Sequence, residues 1–262
     1  MRVHVVSDIH GNADALARAG EGADALVVLG DLIDFVDYVE PHRGILGALF
    51  GAEKVRTFAR LRRAGSRAEM AAFSRSLWSS LSDPAAAVEE AIREQYAVLF
   101  AAMTVPTYAT PGNVDTPELW PEFAGGHVHV LDGEVAKIGG LRFGFVGGAV
   151  LPAGYPLRPG RAWVPYLRSE QDFAAALDTL GEVDVLCSHI PPAVAELTYD
   201  VVARRSESGS SALLDYIRRA GPRWSLFGHV HQPLATRTRV GLTECCNVGH
   251  FQRTEVPFVL RW

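Results

Sequence analysis

The chain has 262 residues, 48% of them hydrophobic and 21% charged, with a formal net charge of -5. That is enough for one sizeable core and excludes a disordered or fibrous chain. The charge leaves no global basic field of the kind that marks a nucleic-acid coat or a membrane-surface protein, and no apolar run reaches the ~20 residues of a membrane span.

Short β-branched runs alternate with helical patterns, which predicts an α/β or layered α+β domain over residues 1–262. Strands are expected at residues 3–6, 25–29, 105–109, 141–146, 183–187 and 224–227. The first strand begins at once, which argues against a cleaved leader. Three cysteines, Cys187, Cys245 and Cys246, show no CxxC or disulfide spacing, and together these features predict a cytoplasmic protein.

Residues 44–103 read as a helical insertion in the sheet framework, broken at Ser82-Asp83-Pro84, where Asp83 and Pro84 spell a helix start. From Lys54 to Arg75 it carries seven basic residues, densest at Arg56, Arg60, Arg62, Arg63 and Arg67, against one acid, Glu69. Two readings stand: a solvated helix face, or a basic lid over a phosphate-bearing substrate. The insertion could equally serve as a homo-oligomer interface. Residues 152–168 form a second irregular segment with four prolines and no acid. Its Arg158 and Arg161 are candidate substrate contacts, since long loops in compact domains often carry function, with a packing loop as the plainer alternative.

Five strand ends run into side chains of the metal-binding type. They are Asp8-Ile9-His10, Gly30-Asp31, Gly112-Asn113, Ser188-His189 and Gly228-His229-Val230-His231. Ligands gather at the carboxyl ends of strands in open α/β sheets, and alternate positions after a strand aim Asp8 with His10, and His229 with His231, the same way. Together they offer two carboxylates, four imidazoles and an amide oxygen. Without thiolates this is not a finger-type zinc site, and the mixed N/O set suits Mn, Fe, Zn, Co or Ni. Seven ligands are too many for one ion with an open position but suit two sharing a carboxylate.

The string D-x-H, G-D-x-x-D, G-N-x-D, H, G-H-x-H resembles the calcineurin-like metallophosphoesterase superfamily, whose motifs here extend from residue 8 to 231. The resemblance implies a two-sheet β-sandwich flanked by helices. It also implies one ion held by Asp8, His10 and His231, a second by Asn113, His189 and His229, and Asp31 between them. Asp34 is then expected to orient a metal ligand from behind. The chain departs from the family at Val114, where a histidine usually contacts substrate. Asp115 loses the partner it would orient, and is left to stand behind the ligands or to cap the helix suggested by Thr116-Pro117-Glu118. The absent Arg-Gly after Asp34 disfavours the protein phosphatase branch.

Of the other histidines, His42 and His250 are candidate substrate contacts or proton donors, His4 reads as structural, and His127 and His129 as surface residues. The expected activity is hydrolysis of a phosphodiester by a metal-bridging hydroxide, with Asp31, Asn113 and His229 at its centre. Phosphomonoester hydrolysis is the alternative. A non-catalytic scaffold is the rival from another class, and the full set of seven ligand positions stands against it. The expected partner is a small-molecule or nucleotide phosphoester, and the net charge gives no indication of nucleic acid.

Overall fold

A computed structural model describes residues 1–152 and 161–262 of the chain. From the N-terminus come β1 (Arg2–Val6), α1 (Ala13–Ala19) and β2 (Ala25–Val28), then four helices, α2 (Gly44–Phe50), α3 (Ala52–Ala64), α4 (Arg67–Trp78) and α5 (Pro84–Ala101). β3 (Thr107–Ala109), a 3-10 helix over Pro117–Glu122, β4 (Val128–Val130), β5 (Glu134–Ile138) and β6 (Leu141–Val146) follow. Next are β7 (Ala149–Val150), β8 (Leu167–Arg168), α6 (Glu170–Leu180), β9 (Val185–Ser188), α7 (Ala195–Thr198), β10 (Tyr199–Asp200) and β11 (Arg205–Ser206). The last elements are α8 (Ser211–Ala220), β12 (Trp224–Phe227), β13 (Arg237–Val240), β14 (Thr243–Asn247), α9 (Phe251–Thr254) and β15 (Phe258–Arg261).

Two principal sheets form, in the orders β15-β1-β2-β3-β4 and β13-β14-β12-β9-β6-β5. Strands β1 to β4 are parallel, as are β6, β9, β12 and β14, while β15, β5 and β13 are antiparallel edges. Parallel strands are buried on both faces, and the two-residue period of the backbone sorts their side chains into layers. Val3, Val5, Val27 and Leu29 of the first sheet meet Phe143, Phe145, Val185 and Leu226 of the second between the sheets. Val6, Leu26 and Val28 face outward onto Leu16 of α1 and Ile92, Tyr96 and Leu99 of α5. Leu186 and Phe227 pack outward on Phe173 of α6 and Leu213 and Ile217 of α8. The result is the expected two-sheet sandwich flanked by helices.

The six expected strands all form, with ends shifted by up to two residues. Asp83 caps α5 as its Pro84 neighbour suggests, its side chain accepting from the Ala86 amide at 3.0 Å. The four helices of residues 44–101 divide in character. α5 is core: Val88, Ile92, Tyr96 and Leu99 are buried against the first sheet. α3 buries only Val55, and its basic side chains remain outside the core. Among the described residues no helix is long and apolar enough to cross a membrane.

Candidate dinuclear metal centre

Because β1, β2 and β3 run parallel, their carboxyl ends open on one edge of the first sheet, and β9 and β12 bring theirs alongside from the second. The chain then turns sharply. Asp8 (φ 58°), His10 (φ 40°), Asp31 (φ 53°) and His229 (φ 66°) all adopt the left-handed conformation that side chains ordinarily avoid. The pairs Asp8/His10 and His229/His231 thus converge through strained turns and not through the strand alternation that their spacing suggests. Motif glycines make room. A Cβ on Gly112 would lie 2.2 Å from Asp31 Oδ1, and one on Gly228 2.3 Å from Asp8 Oδ2.

Asp31 presents one oxygen to each side. Its Oδ1 lies 3.3 Å from His189 Nε2 and its Oδ2 3.9 Å from His10 Nε2. Two clusters that could hold a cation therefore share it, Asp8/His10/Asp31 and Asp31/His189/His229. His231 Nε2 is 3.4 Å from both Asp8 Oδ1 and His10 Nε2, and Asn113 Oδ1 is 3.1 Å from His189 Nε2. All seven expected ligands come together.

The donor set fits a pair of divalent cations. Among the described residues Asp8 Oδ1 and His229 Nε2 are buried without a hydrogen-bond partner, a costly state that a cation would relieve. The ring of His189 is aimed by Nδ1–H donating to the Leu29 carbonyl at 2.7 Å, which turns Nε2 towards Asp31. His10 is held in the same way by the Ile33 carbonyl at 3.3 Å. Burial alone would raise the Asp8 and Asp31 carboxyls, but His231 beside Asp8 and His189 beside Asp31 hold both below the usual range. Burial would lower His189, yet Asp31 pushes it up to about 9, so protons occupy the place of a cation's charge. Burial and the His189 charge push His229 down to about 4, leaving its ring neutral and able to bind a metal.

Neighbouring groups lock the loops. Asp115 accepts from Gly112 N (2.8 Å) and Leu32 N (3.0 Å) and from the Tyr96 hydroxyl (3.3 Å), binding two metal loops to α5. It does not cap the following 3-10 helix, whose cap position is Thr116. Asn247 donates to the carbonyls of Gly228 and Val230 and so braces the His229–His231 turn, a role that no sequence motif announced. Asp34 departs from expectation. Among the described residues its carboxylate bonds to no metal ligand, and the orienting contact to His10 comes from the Ile33 carbonyl instead.

Above the ligands lies a cleft of about 740 Å³, with His10, Asp31, Asn113, His229 and His231 at its base. Arg62 and Arg63 of α3, with Tyr38, form one wall. The β10–β11 ribbon, carrying Asp200, Arg205 and Glu207, forms the other, and no sequence signal singled it out. His250 stands beside this cleft: its ring stacks on His231 at 3.7 Å between centroids, and among the described residues its buried Nε2 has no hydrogen-bond partner. His42 does not line the cleft. It is solvent-exposed beside Glu40, in a neighbouring cavity. Arg161 lines a different cavity again, between α5 and the 3-10 helix, and Arg158 lies outside the described residues. His4 is buried against the Ala19 carbonyl, as expected of a structural residue, while His127 and His129 are exposed.

No curated protein matches the chain. One crystal structure superposes with a TM-score of 0.61 at 17% identity, covering 96% of this chain and 91% of that one. A second, TT1561 of Thermus thermophilus, gives 0.58 at 14% identity, covering 99% and 98%. At such identities these show a shared fold. The model of the calcineurin-like phosphoesterase family matches residues 1–233, from the first strand through the last candidate ligand, His231. The chain is therefore a member of the calcineurin-like phosphoesterase family, and a metal-dependent hydrolase of phosphoesters.

Proposed function

We propose that this protein hydrolyses phosphodiesters, with a small-molecule or nucleotide substrate, in the cytoplasm. The observation that carries the reading is Asp31, which offers one carboxylate oxygen to each of two ligand clusters beneath an open cleft. Asp8, His10 and His231 would hold one ion, Asn113, His189 and His229 the other, with Asp31 between. Two divalent cations so held lower the pKa of a bound water towards neutrality and offset charge on the phosphoryl oxygens. The chain's own part is placement. The Val114 amide donates to Asp31 Oδ1 at 3.0 Å and fixes its orientation, and the Leu29 and Ile33 carbonyls aim the imidazoles. Arg62 and Arg63 stand where they can bond to anionic oxygens of a bound ester.

Val114 supports the diester preference, because it gives no imidazolium for the second charge of a monoester and no acid for a basic leaving group. General acid catalysis is typically worth ~10²–10⁴-fold. The monoester reading has its own support in Arg62 and Arg63, which could take up that second charge. The cytoplasmic assignment is supported by Cys187, Cys245 and Cys246, all buried free thiols.

A matched series of substituted phenyl and alkyl diesters and monoesters, assayed with Mn, Ni, Zn, Fe and Mg, tests the reading. Diesters should outrun monoesters, and turnover should fall steeply with leaving-group pKa. Val114→His should flatten that slope and raise monoester hydrolysis. A wild-type preference for monoesters would overturn the diester assignment.

A further inference from the structure

Beside the metal cleft lies a second cavity of about 540 Å³, and His10 lines both. Asp34 lines it, only 7% exposed. The backbone of Asp34 is fully engaged, its N–H donating to Gln95 Oε1 at 2.8 Å and its carbonyl accepting from Ile45 N and Gln95 Nε2. Its carboxylate, by contrast, has no hydrogen bond and no ion pair among the described residues. Such a buried anion is costly unless a cation or donor meets it.

The surroundings leave a place for one. Gly44 (φ +72°) packs closely on the carboxylate, where a Cβ would stand 3.1 Å from Asp34 Oδ2, so a larger residue there would crowd the group. Arg43, the nearest cation on the same loop, is already paired with Glu40 at 2.8 Å. Asp37 Oδ1 accepts from the Val39 and Glu40 amides. Arg253, the other guanidinium of the described lining, is exposed, as is Glu94 of α5, an acid with no ion pair among the described residues. Burial and the Asp37 charge push the Asp34 carboxyl up to about 7, against the pull of Arg43, so an arriving cation would relieve it. Among the described residues the walls carry no Phe, Tyr or Trp, the residues that recognise quaternary ammonium groups. A primary ammonium, which donates hydrogen bonds to a carboxylate, fits this chemistry better.

We propose that this cavity is a subsite for a primary ammonium group on the alcohol portion of the substrate, with Asp34 as its acceptor. The proposal rests on the phosphodiesterase reading above and narrows it to amino-alcohol esters.

The test uses the metal-loaded protein and p-nitrophenyl ω-aminoalkyl phosphates of two to five carbons, each paired with the alkyl diester in which methyl replaces ammonium. The best-fitting amine should exceed its partner in kcat/KM on the order of ten- to a hundredfold, the range for a hydrogen bond to a charged group. Asp34→Asn should collapse that ratio. Because both rates come from one protein, the ratio cancels any loss of fold or metal. Calorimetry of ω-aminoalkyl phosphates against alkyl phosphates supplies a readout without turnover, and the amines should bind the wild type more tightly. Equal rates and equal binding within every pair would overturn the subsite while leaving the phosphodiesterase standing. A ratio that survives Asp34→Asn would overturn the role of Asp34. Absence of turnover on every diester would instead sink the phosphodiesterase reading, with calorimetry still deciding the subsite.

Discussion

Asp31 concentrates the site's geometry in one side chain, and its removal is correspondingly informative. With a carboxylate oxygen 3.3 Å from His189 and another 3.9 Å from His10, Asp31→Ala deprives both clusters of their shared anion. Metal analysis of the purified variant should show at least one ion lost and activity nearly abolished. Two retained ions with normal turnover would refute the bridging role. Asp34 behaves differently, because its carboxyl is raised to about 7 from 3.8. Between those values the folded protein keeps a proton that the unfolded chain has released, so stability falls as pH climbs from about 4 to 7 and levels off above. Asp34→Asn should thus raise stability by ~4 kcal/mol at pH 8 and by well under ~1 kcal/mol near pH 4, a difference that denaturant titration at the two pH values measures. At this scale the sequence was most legible where a side chain is itself a ligand, since ligand identity and spacing are written in the chain. It was least legible where a backbone carbonyl does the orienting. Ile33 and Leu29 aim the two imidazoles through atoms that every residue possesses, and so Asp34 looked like the orienting group when it is not.

The elements around the cleft divide between support and selection. Tyr96 of α5 accepts from the Thr116 amide at 2.7 Å and donates to Asp115, so this helix carries the Asn113 loop on its buried face. α3 presents Arg62 and Arg63 to the cleft, whereas Arg56 and Arg60 do not line it. The basic run therefore resolves into two parts, residues away from the cleft and a pair, Arg62 and Arg63, that lines it. The side chain of Arg67 lies outside the described residues. Replacing Arg62 and Arg63 together by alanine should raise KM for anionic substrates severalfold, with little change for a small neutral-tailed diester. The same change at Arg56 and Arg60 should leave both alone. Steady-state kinetics on the two substrates separates these outcomes, and equal effects from both pairs would assign the run a structural role. Helical periodicity showed that α3 exists. It could not show which side meets the metals, because that depends on the crossing of a helix over loops distant in sequence. The β10–β11 ribbon was invisible for a related reason: two-residue strands are held by their surroundings and leave no pattern of their own.

Across the whole molecule, the two-sheet architecture followed from alternating apolar runs and from the motifs that end them, while the edge strands β5, β13 and β15 lie partly exposed and carry weaker signals. Asp8, His10, Asp31 and Asn113 come from the first sheet's edge and His189, His229 and His231 from the second's. A cation held between them therefore belongs to neither sheet alone. It would act as a rivet through the sandwich, and it would turn free metal concentration into a variable of folding. Any species that binds only the native state stabilises it by RT ln(1 + [L]/Kd), or ~2.7 kcal/mol at a hundredfold excess over Kd. Thermal scans in a chelator and in graded metal should show the melting temperature climbing with metal, and climbing less in His231→Ala. A melting temperature indifferent to metal would mean that the sheets are joined by their apolar interface alone. If the rivet holds, a cell short of transition metal would lose this protein by unfolding as well as by inactivity.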